Sequence, residues 1–257
     1  MGPVTPRALD GKVAVVTGAG AGIGKAIALL FAAEGAHVVV ASRSPGDINQ
    51  VVLAIRERGG HAVGVVTDVS VCAQVERMWQ QAIALTGQVD ILVNNAGIMD
   101  DFTPVADVSD DLWRRVLATN LDGTFYACRL AVPAMEKQGA GAIVNIASIA
   151  GHQGSRAGAA YTASKHAMIG LTKNIGYMYA KTGLRCNAIA PGGVATTIGQ
   201  KMKPHPFGYE RMAAGVGNNI RTAEPDEIAR IALFLASDAS SFINGAVLTA
   251  DGGWTAY

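Results

Sequence analysis

Ser148 and the run Tyr161-Thr162-Ala163-Ser164-Lys165 bring a hydroxyl, a phenol and an amine into one short stretch of chain. If the residues from 160 onward form a helix, Tyr161 and Lys165 lie one turn apart on a shared face. An ammonium beside a phenol favours the phenolate. The tyrosine could then exchange a proton nearer neutral pH than its free pKa of about 10 allows. That is the acid/base that alcohol or ketone chemistry needs, and a serine hydroxyl can hold the same substrate oxygen. A bare Tyr-x-x-x-Lys pair also occurs on many surface helices with a half-buried tyrosine, so its meaning depends on its surroundings.

The surroundings point to a dinucleotide. A β-branched run leads into Thr17-Gly18-Ala19-Gly20-Ala21-Gly22-Ile23-Gly24, and a helical pattern follows. Between strand and helix, such a loop lets the backbone approach a pyrophosphate, which then sits on the helix N-terminus. Gly18, Gly22, Ile23 and Gly24 are the expected contacts. The next strand ends at Ser42-Arg43, where a cofactor with free ribose hydroxyls would usually meet an acid. A guanidinium matches a 2′-phosphate in charge and geometry, so NADP(H) is favoured over NAD(H). The alternative is an Arg43 that faces solvent. Asp68, followed by Val69, could accept from the adenine amino group, cap a helix starting near Ser70, or do both. Asn94-Asn95-Ala96-Gly97 would let the cofactor pass close to the backbone while its amides tie neighbouring loops together.

These residues need a scaffold that repeats strand and helix. Lys12-Thr17, His37-Ala41, Ala62-Val66, Val89-Asn94, Ala142-Ala147, Arg185-Ala190 and Ala246-Thr249 read as strands that are apolar on both faces. Helical patterns lie near 22–35, 46–59, 70–86, 109–137, 160–181 and 224–236. Ser109 is a candidate N-terminal signal and Gly183 a C-terminal one. Alternating βα units imply a Rossmann-type α/β fold, a doubly wound parallel sheet of about seven strands with helices on both faces. No internal boundary or fixed repeat is apparent, so residues 1–257 read as a single catalytic domain. The stretch 192–222 breaks the rhythm with glycines, prolines and His205, and reads as a substrate lid loop.

Composition narrows the classes. The chain has 257 residues, 50% hydrophobic and 16% charged, enough for one well-buried core. A net charge of +1 offers nothing to a nucleic acid or an acidic membrane. Cys72, Cys128 and Cys186 are odd in number and far apart, so neither a zinc site nor a disulfide framework is expected. Reduced thiols in the cytoplasm are the plain reading. Met1 to Asp10 carries prolines and no apolar core of a secretory signal. No apolar run is long enough to span a bilayer.

Taken together, the glycine loop, Asn94-Asn95-Ala96-Gly97, Asn120, Ser148, Tyr161, Lys165 and Pro191-Gly192 resemble the short-chain dehydrogenase/reductase family. The resemblance runs from Thr17 to Gly253 and is nearest the 3-oxoacyl-carrier-protein reductases, glucose dehydrogenases and related sugar or polyol enzymes. It implies that Tyr161 is the acid/base, that Ser148 holds the substrate oxygen, and that Lys165 binds the nicotinamide ribose and lowers the Tyr161 pKa. It implies that Asn120 holds a water linking Lys165 to solvent. From residues alone, Asn120 would be a helix kink or a satisfied buried amide. Pro191, Gly192 and Val194 would contact the nicotinamide side, and Thr196 would reach the carboxamide or a phosphate. Hydride transfer to a small alcohol or ketone requires no metal.

Substrate contacts are expected from Ser148, Tyr161, His152 and Gln153. Met99, Gly154-Ser155-Arg156 and Met202-Pro206 are further pocket candidates. Phe125, Ala131, Ala167, Ile169 and Gly170 could face a second subunit, and the resemblance implies a homotetramer with the Gly252–Tyr257 tail at an interface. Three other readings stand beside this one: an NAD(H)-dependent alcohol or sugar dehydrogenase, a non-catalytic dinucleotide-binding regulator, and a related epimerase or dehydratase. The last usually needs a longer C-terminal substrate domain.

Overall fold

The computed structural model describes residues 7–200 and 202–257. The residues read as lacking a secretory signal lie partly outside them, and so does Lys201 of the expected lid. Seven parallel strands form one sheet in the order β3-β2-β1-β4-β5-β6-β7. In chain order these are β1 Val13–Thr17, β2 His37–Ser42, β3 His61–Val66, β4 Ile91–Asn94, β5 Gly141–Ile146, β6 Leu184–Pro191 and β7 Val247–Ala250.

Period-two alternation feeds two cores, because successive side chains of a strand point to opposite faces. Ala14, Val16, Val38, Val40, Ile91 and Val93 face one layer. That layer holds α1 Gly22–Ala33, α2 Pro45–Glu57 and α8 Pro225–Ala236. Val13, Val15, Val39, Ala41 and Leu92 face the other. There they meet α3 Cys72–Thr86, α5 Gly123–Gln138 and α6 Ala159–Met178. Each fully buried Ile or Leu here, such as Ile27, Leu92 and Ile228, contributes roughly 1.5–3 kcal/mol. Ser44 caps α2 by accepting from Asp47 N at 3.3 Å, and Ser109 caps α4 (Asp110–Leu117) by accepting from Leu112 N at 3.2 Å.

The edge strand β3 still sends Ala62 to one core and Val65 to the other, although Gly64 and Val66 are exposed. Three expectations are refined. The stretch 109–137 is helical from residue 110 to 138 as expected, but a π-helical segment, Ala118–Asp122, separates α4 from α5. Helix α6 stops at Met178, and Gly183 turns the chain into β6 instead of capping the helix. The stretch 192–222 is partly helical, with α7 at Pro206–Ala213. None of α7's residues is buried, so it had no apolar stripe to betray it. No helix among the described residues is long and apolar enough to cross a membrane.

Candidate active site

The strand order reverses between β1 and β4, and the crevice at their carboxyl ends is where open α/β sheets take ligands. A cleft of about 500 Å³ opens there. At one end it is lined by Gly18, Gly22, Ile23, Ser42, Arg43, Asp68 and Val69. Asn95, Ala96 and Gly97 line its middle. Ser148, Tyr161, Lys165, Pro191, Gly192 and Val194 line its other end, and Thr196 reaches back to Gly22.

The glycine loop is built for close approach. Gly18 has φ +64°, and a Cβ there would meet Asn95 Nδ2 at 2.8 Å and Ala96 Cα at 2.9 Å. A Cβ on Gly24 would run into Asn95 Nδ2 and the Gly18 carbonyl, so Gly24 backs the loop without lining the cleft. Asn95 explains the crowding. Its Nδ2 donates to Thr17 O at 3.0 Å and to Gly18 O at 3.2 Å. Its backbone N–H donates to Thr17 Oγ1 at 3.0 Å. Helix α1 begins at Gly22 with no side-chain cap and no acid in its first turn. Its first N–H groups therefore face the cleft with the positive end of the helix dipole, an arrangement that fits a pyrophosphate. Thr196 packs over this turn, 3.1 Å from where a Gly22 Cβ would stand.

Asp68 does not cap α3, which starts at Cys72 without a side-chain cap. Its Oδ1 instead accepts from Ser70 N and Ser70 Oγ, at 3.0 and 2.7 Å, in a local turn. The sequence reading missed Asp47. It stands on the first turn of α2, lines the cleft beside Ser42 and Arg43, and lies 2.9 Å from where a Gly20 Cβ would be. Spacing alone could have raised it, as an acid in the first turn after β2.

At the other end, α6 carries Tyr161 and Lys165 one turn apart, both buried. Ser148 hydrogen-bonds the Tyr161 phenol. Lys165 Nζ sits 5.5 Å from the centre of the Tyr161 ring and donates to Ile146 O at 2.8 Å. The expected pKa relation is reversed in the chain by itself. Burial pushes the Tyr161 phenol up to about 12, against a lowering by the Ser148 hydrogen bond, and the Asp100 charge raises it further. Burial brings the Lys165 ammonium down to about 8. Desolvation disfavours the charged form of each group.

Asp100, which the sequence reading passed over, supports this end from below. It is fully buried, and its carboxylate accepts from the backbone N–H groups of Phe102, Gly158 and Tyr161 at 3.2, 3.0 and 2.8 Å. Burial raises its pKa above the usual carboxylate range, against those hydrogen bonds. Gly158, at the N-cap of α6, has no side chain to cap with, so the cap comes from Asp100 far away in the chain.

Asn120 lies in the π-helical segment and is fully buried. Its Oδ1 accepts from Ile98 N at 2.8 Å, and its Nδ2 donates to Ile98 O at 3.0 Å and Ser164 Oγ at 3.1 Å. Both alternatives raised from its residue type hold, a helix irregularity and a satisfied amide. Its amide protons are thereby committed, and it flanks Gly97 together with Lys165 Nζ.

His152 and Gln153 lie outside the cleft lining. The short turn Ile149–Gly151 carries them away from it, and His152 is exposed. Burial, helped by the charges of His166 and Lys173, lowers the His152 pKa. Met99 and Arg156 do line the cleft, joined by Phe102, Met212 and Trp254. Trp254 donates from Nε1 to Gly215 O at 3.0 Å, so Trp254 is buried against its own chain, while Gly252, Gly253, Ala256 and Tyr257 are exposed. Ala131 and Ile169 are core residues, whereas Phe125 is exposed. All three cysteines are free.

Comparison with known proteins agrees with this geometry. The enoyl-(acyl carrier protein) reductase family model matches residues 18–255. 3beta-hydroxysteroid dehydrogenase 2 of Eggerthella lenta is 45% identical over 97% of this chain and 96% of its own. 3-Oxoacyl-acyl-carrier-protein reductase of Thermotoga maritima is 38% identical over 95% of this chain and 98% of its own. The crystal structure of a putative NAD(P)-dependent gluconate 5-dehydrogenase from Beutenbergia cavernae, with NADP bound at low occupancy, superposes with a TM-score of 0.88. It is 41% identical and covers 98% of this chain and 100% of its own. With a Rossmann-type sheet, a glycine loop fitted to a dinucleotide, and Ser148, Tyr161 and Lys165 at one cleft, the chain belongs to the short-chain dehydrogenase/reductase family, oxidoreductases that act on CH–OH groups with NAD(P).

Proposed function

We propose that this protein is an NADP(H)-preferring oxidoreductase that interconverts a secondary alcohol and a ketone, with Tyr161 as the acid/base. The observation that supports this most directly is the Ser148–Tyr161 hydrogen bond beside the buried Lys165, at the far end of the cleft from the glycine loop. In reduction, Ser148 Oγ donates to the carbonyl oxygen and stabilises the charge that develops there. The Tyr161 phenol then gives that oxygen its proton. In oxidation the same phenol oxygen removes the alcohol proton, and Lys165 and Ser148 oppose the burial that holds the phenol protonated. The bound nicotinamide supplies or accepts the hydride.

Lys165 has N–H groups beyond the one given to Ile146, and these would hold the nicotinamide ribose hydroxyls. Asn120 keeps the loop after β4 in place and has one oxygen lone pair left for a relay water. Gly18, Gly22 and Ile23 would cradle the pyrophosphate on a loop backed by Gly24, with Asp68 and Val69 at the adenine. Asn95, Ala96, Gly97, Pro191, Gly192, Val194 and Thr196 would enclose the nicotinamide half. Ser42 and Arg43 would take the 2′-phosphate. His152 and Gln153 would meet only a substrate long enough to leave the cleft.

A second reading, NAD(H), is favoured by Asp47, whose carboxylate beside Ser42 would accept from ribose hydroxyls and repel a 2′-phosphate. Titration with NADPH and NADH, followed by nicotinamide fluorescence, separates the two. Tighter NADPH binding is expected. Equal or tighter NADH binding would give Asp47 the deciding role and send Arg43 to solvent. Tyr161→Phe is expected to lower kcat by at least about 10²-fold while NADPH binding changes little. Retention of most activity would remove Tyr161 from the acid/base role. Phe125 on α5 and Tyr177 and Met178 near the end of α6, all exposed, suit a homotetramer, which light scattering would size. The three free thiols suit a cytoplasmic location.

A further inference from the structure

Exchange of a hydride and a proton with a neutral substrate has no use for the guanidinium of Arg156. This side chain enters the cleft from the loop just before α6 and is only 7% exposed. Three separate parts of the chain hold it. Nη1 donates to Gly215 O of the lid at 3.1 Å, and Nη2 donates to the Tyr257 hydroxyl of the tail at 3.3 Å. The guanidinium carbon lies 4.3 Å over the Trp254 ring. Its Nε is buried with no partner.

None of these contacts carries a negative charge, and among the described residues no carboxylate forms an ion pair with Arg156. Of the five N–H groups of a guanidinium, Gly215 and Tyr257 take one each. The cleft that it enters is also lined by Met99, Phe102, Met212 and Trp254. An uncompensated buried cation is costly. Here it is also oriented, because the Trp254 face fixes the plane of the fork. A planar anion entering the cleft would offset that cost and find a preset bidentate partner.

We propose that Arg156 recognises a carboxylate, and that the substrate is a hydroxy or keto acid whose carboxylate lies apart from the carbon that Tyr161 serves. The proposal rests on the alcohol–ketone reading for its second half only. Binding can be read without turnover, from the tryptophan fluorescence and thermal midpoint of the full-length protein with NADP⁺ present. The probes are cyclohexanecarboxylate, its methyl ester and its amide.

The acid is expected to bind roughly tenfold or more tightly than the ester or amide, the size of one charge-assisted hydrogen bond. Arg156→Gln should erase that preference and leave ester binding within about threefold, and Arg156→Lys should recover part of it. Rates on 4-oxocyclohexanecarboxylate and its methyl ester should show the same preference in kcat/KM. Equal binding of acid, ester and amide to the unaltered protein would overturn the proposal, even if Arg156→Gln does not fold. So would a loss in Arg156→Gln that is the same for acid and ester. A preference for the acid with no turnover of any ketone would sustain the role of Arg156 and remove the oxidoreductase reading instead.

Discussion

Lys165→Met should make the protein without dinucleotide more stable at neutral pH. The Lys165 ammonium is buried, bonds only to the Ile146 carbonyl among the described residues, and has its pKa brought from 10.5 down to about 8 by desolvation. A difference of that size, at 1.36 kcal/mol per unit, corresponds to a destabilisation on the order of 3 kcal/mol. The sign follows from proton binding. Between pH 8 and 10.5 the unfolded chain holds the lysine proton and the folded chain does not, so this contribution to stability rises with pH through that window. The full penalty applies below about pH 8 and is gone above 10.5. Methionine fills much of the same volume without a charge, but leaves the Ile146 carbonyl short of one donor, at a cost of about 1 kcal/mol. The net gain at pH 7 is therefore about 2 kcal/mol and should shrink as pH climbs toward 10. Urea unfolding of both proteins at fixed concentration, from pH 7 to 9.5, reads the difference curve. A variant that is less stable at pH 7, or a difference that does not change with pH, would refute the account of Lys165 as a buried, uncompensated charge.

Two further substitutions test the supports of the cleft. Gly24→Ala puts a methyl against Asn95 Nδ2 and the Gly18 carbonyl, so NADPH affinity should fall at least about tenfold and stability by roughly 1–3 kcal/mol. Fluorescence titration that returned an unchanged Kd would mean that the loop relaxes around the methyl. Asp100→Asn keeps the shape but removes a charge that raises the Tyr161 pKa. The pH profile of alcohol oxidation should then move to lower pH, with about 1–3 kcal/mol of stability lost at the α6 N-terminus. A profile that stays in place while the melting midpoint drops would confine Asp100 to capping.

The sheet was legible because its strands are short β-branched runs apolar on both faces, as in Val13 to Val16 and Val38 to Val40, which feed two cores. The line of Gly18, Gly22, Asn95, Tyr161 and Lys165 was legible for a related reason. Each belongs to a short motif whose element can be read locally. Part of what escaped depends on pieces far apart in sequence. Trp254 joins the cleft only because the tail folds back onto Gly215. Asp100 matters only because Gly158, a side-chain-free N-cap, leaves the start of α6 to be satisfied from elsewhere. The π-helical turn at Ala118–Asp122 has no separate pattern in a stretch that is helical on either side. The exposed α7 buries nothing and so leaves no periodic trace.

The places where local rules fail also fall along one cleft. Helix α1 starts without a capping side chain or an acid in its first turn. Lys165 is buried without a carboxylate among its described contacts, and so is Arg156. Each leaves positive charge or unpaired N–H groups where burial should have removed them, and such faults are expected to collect at functional sites. Their order in space is a statement about the ligand. The α1 end calls for a diphosphate, Lys165 for hydroxyls beside a reacting centre, and Arg156 for an anion beyond it. One dinucleotide and one small acidic substrate, laid end to end, would satisfy all three. Binding both together should therefore raise the thermal midpoint by more than the sum of the two taken separately. Simple additivity would mean that the three deficits are compensated independently and do not form one site.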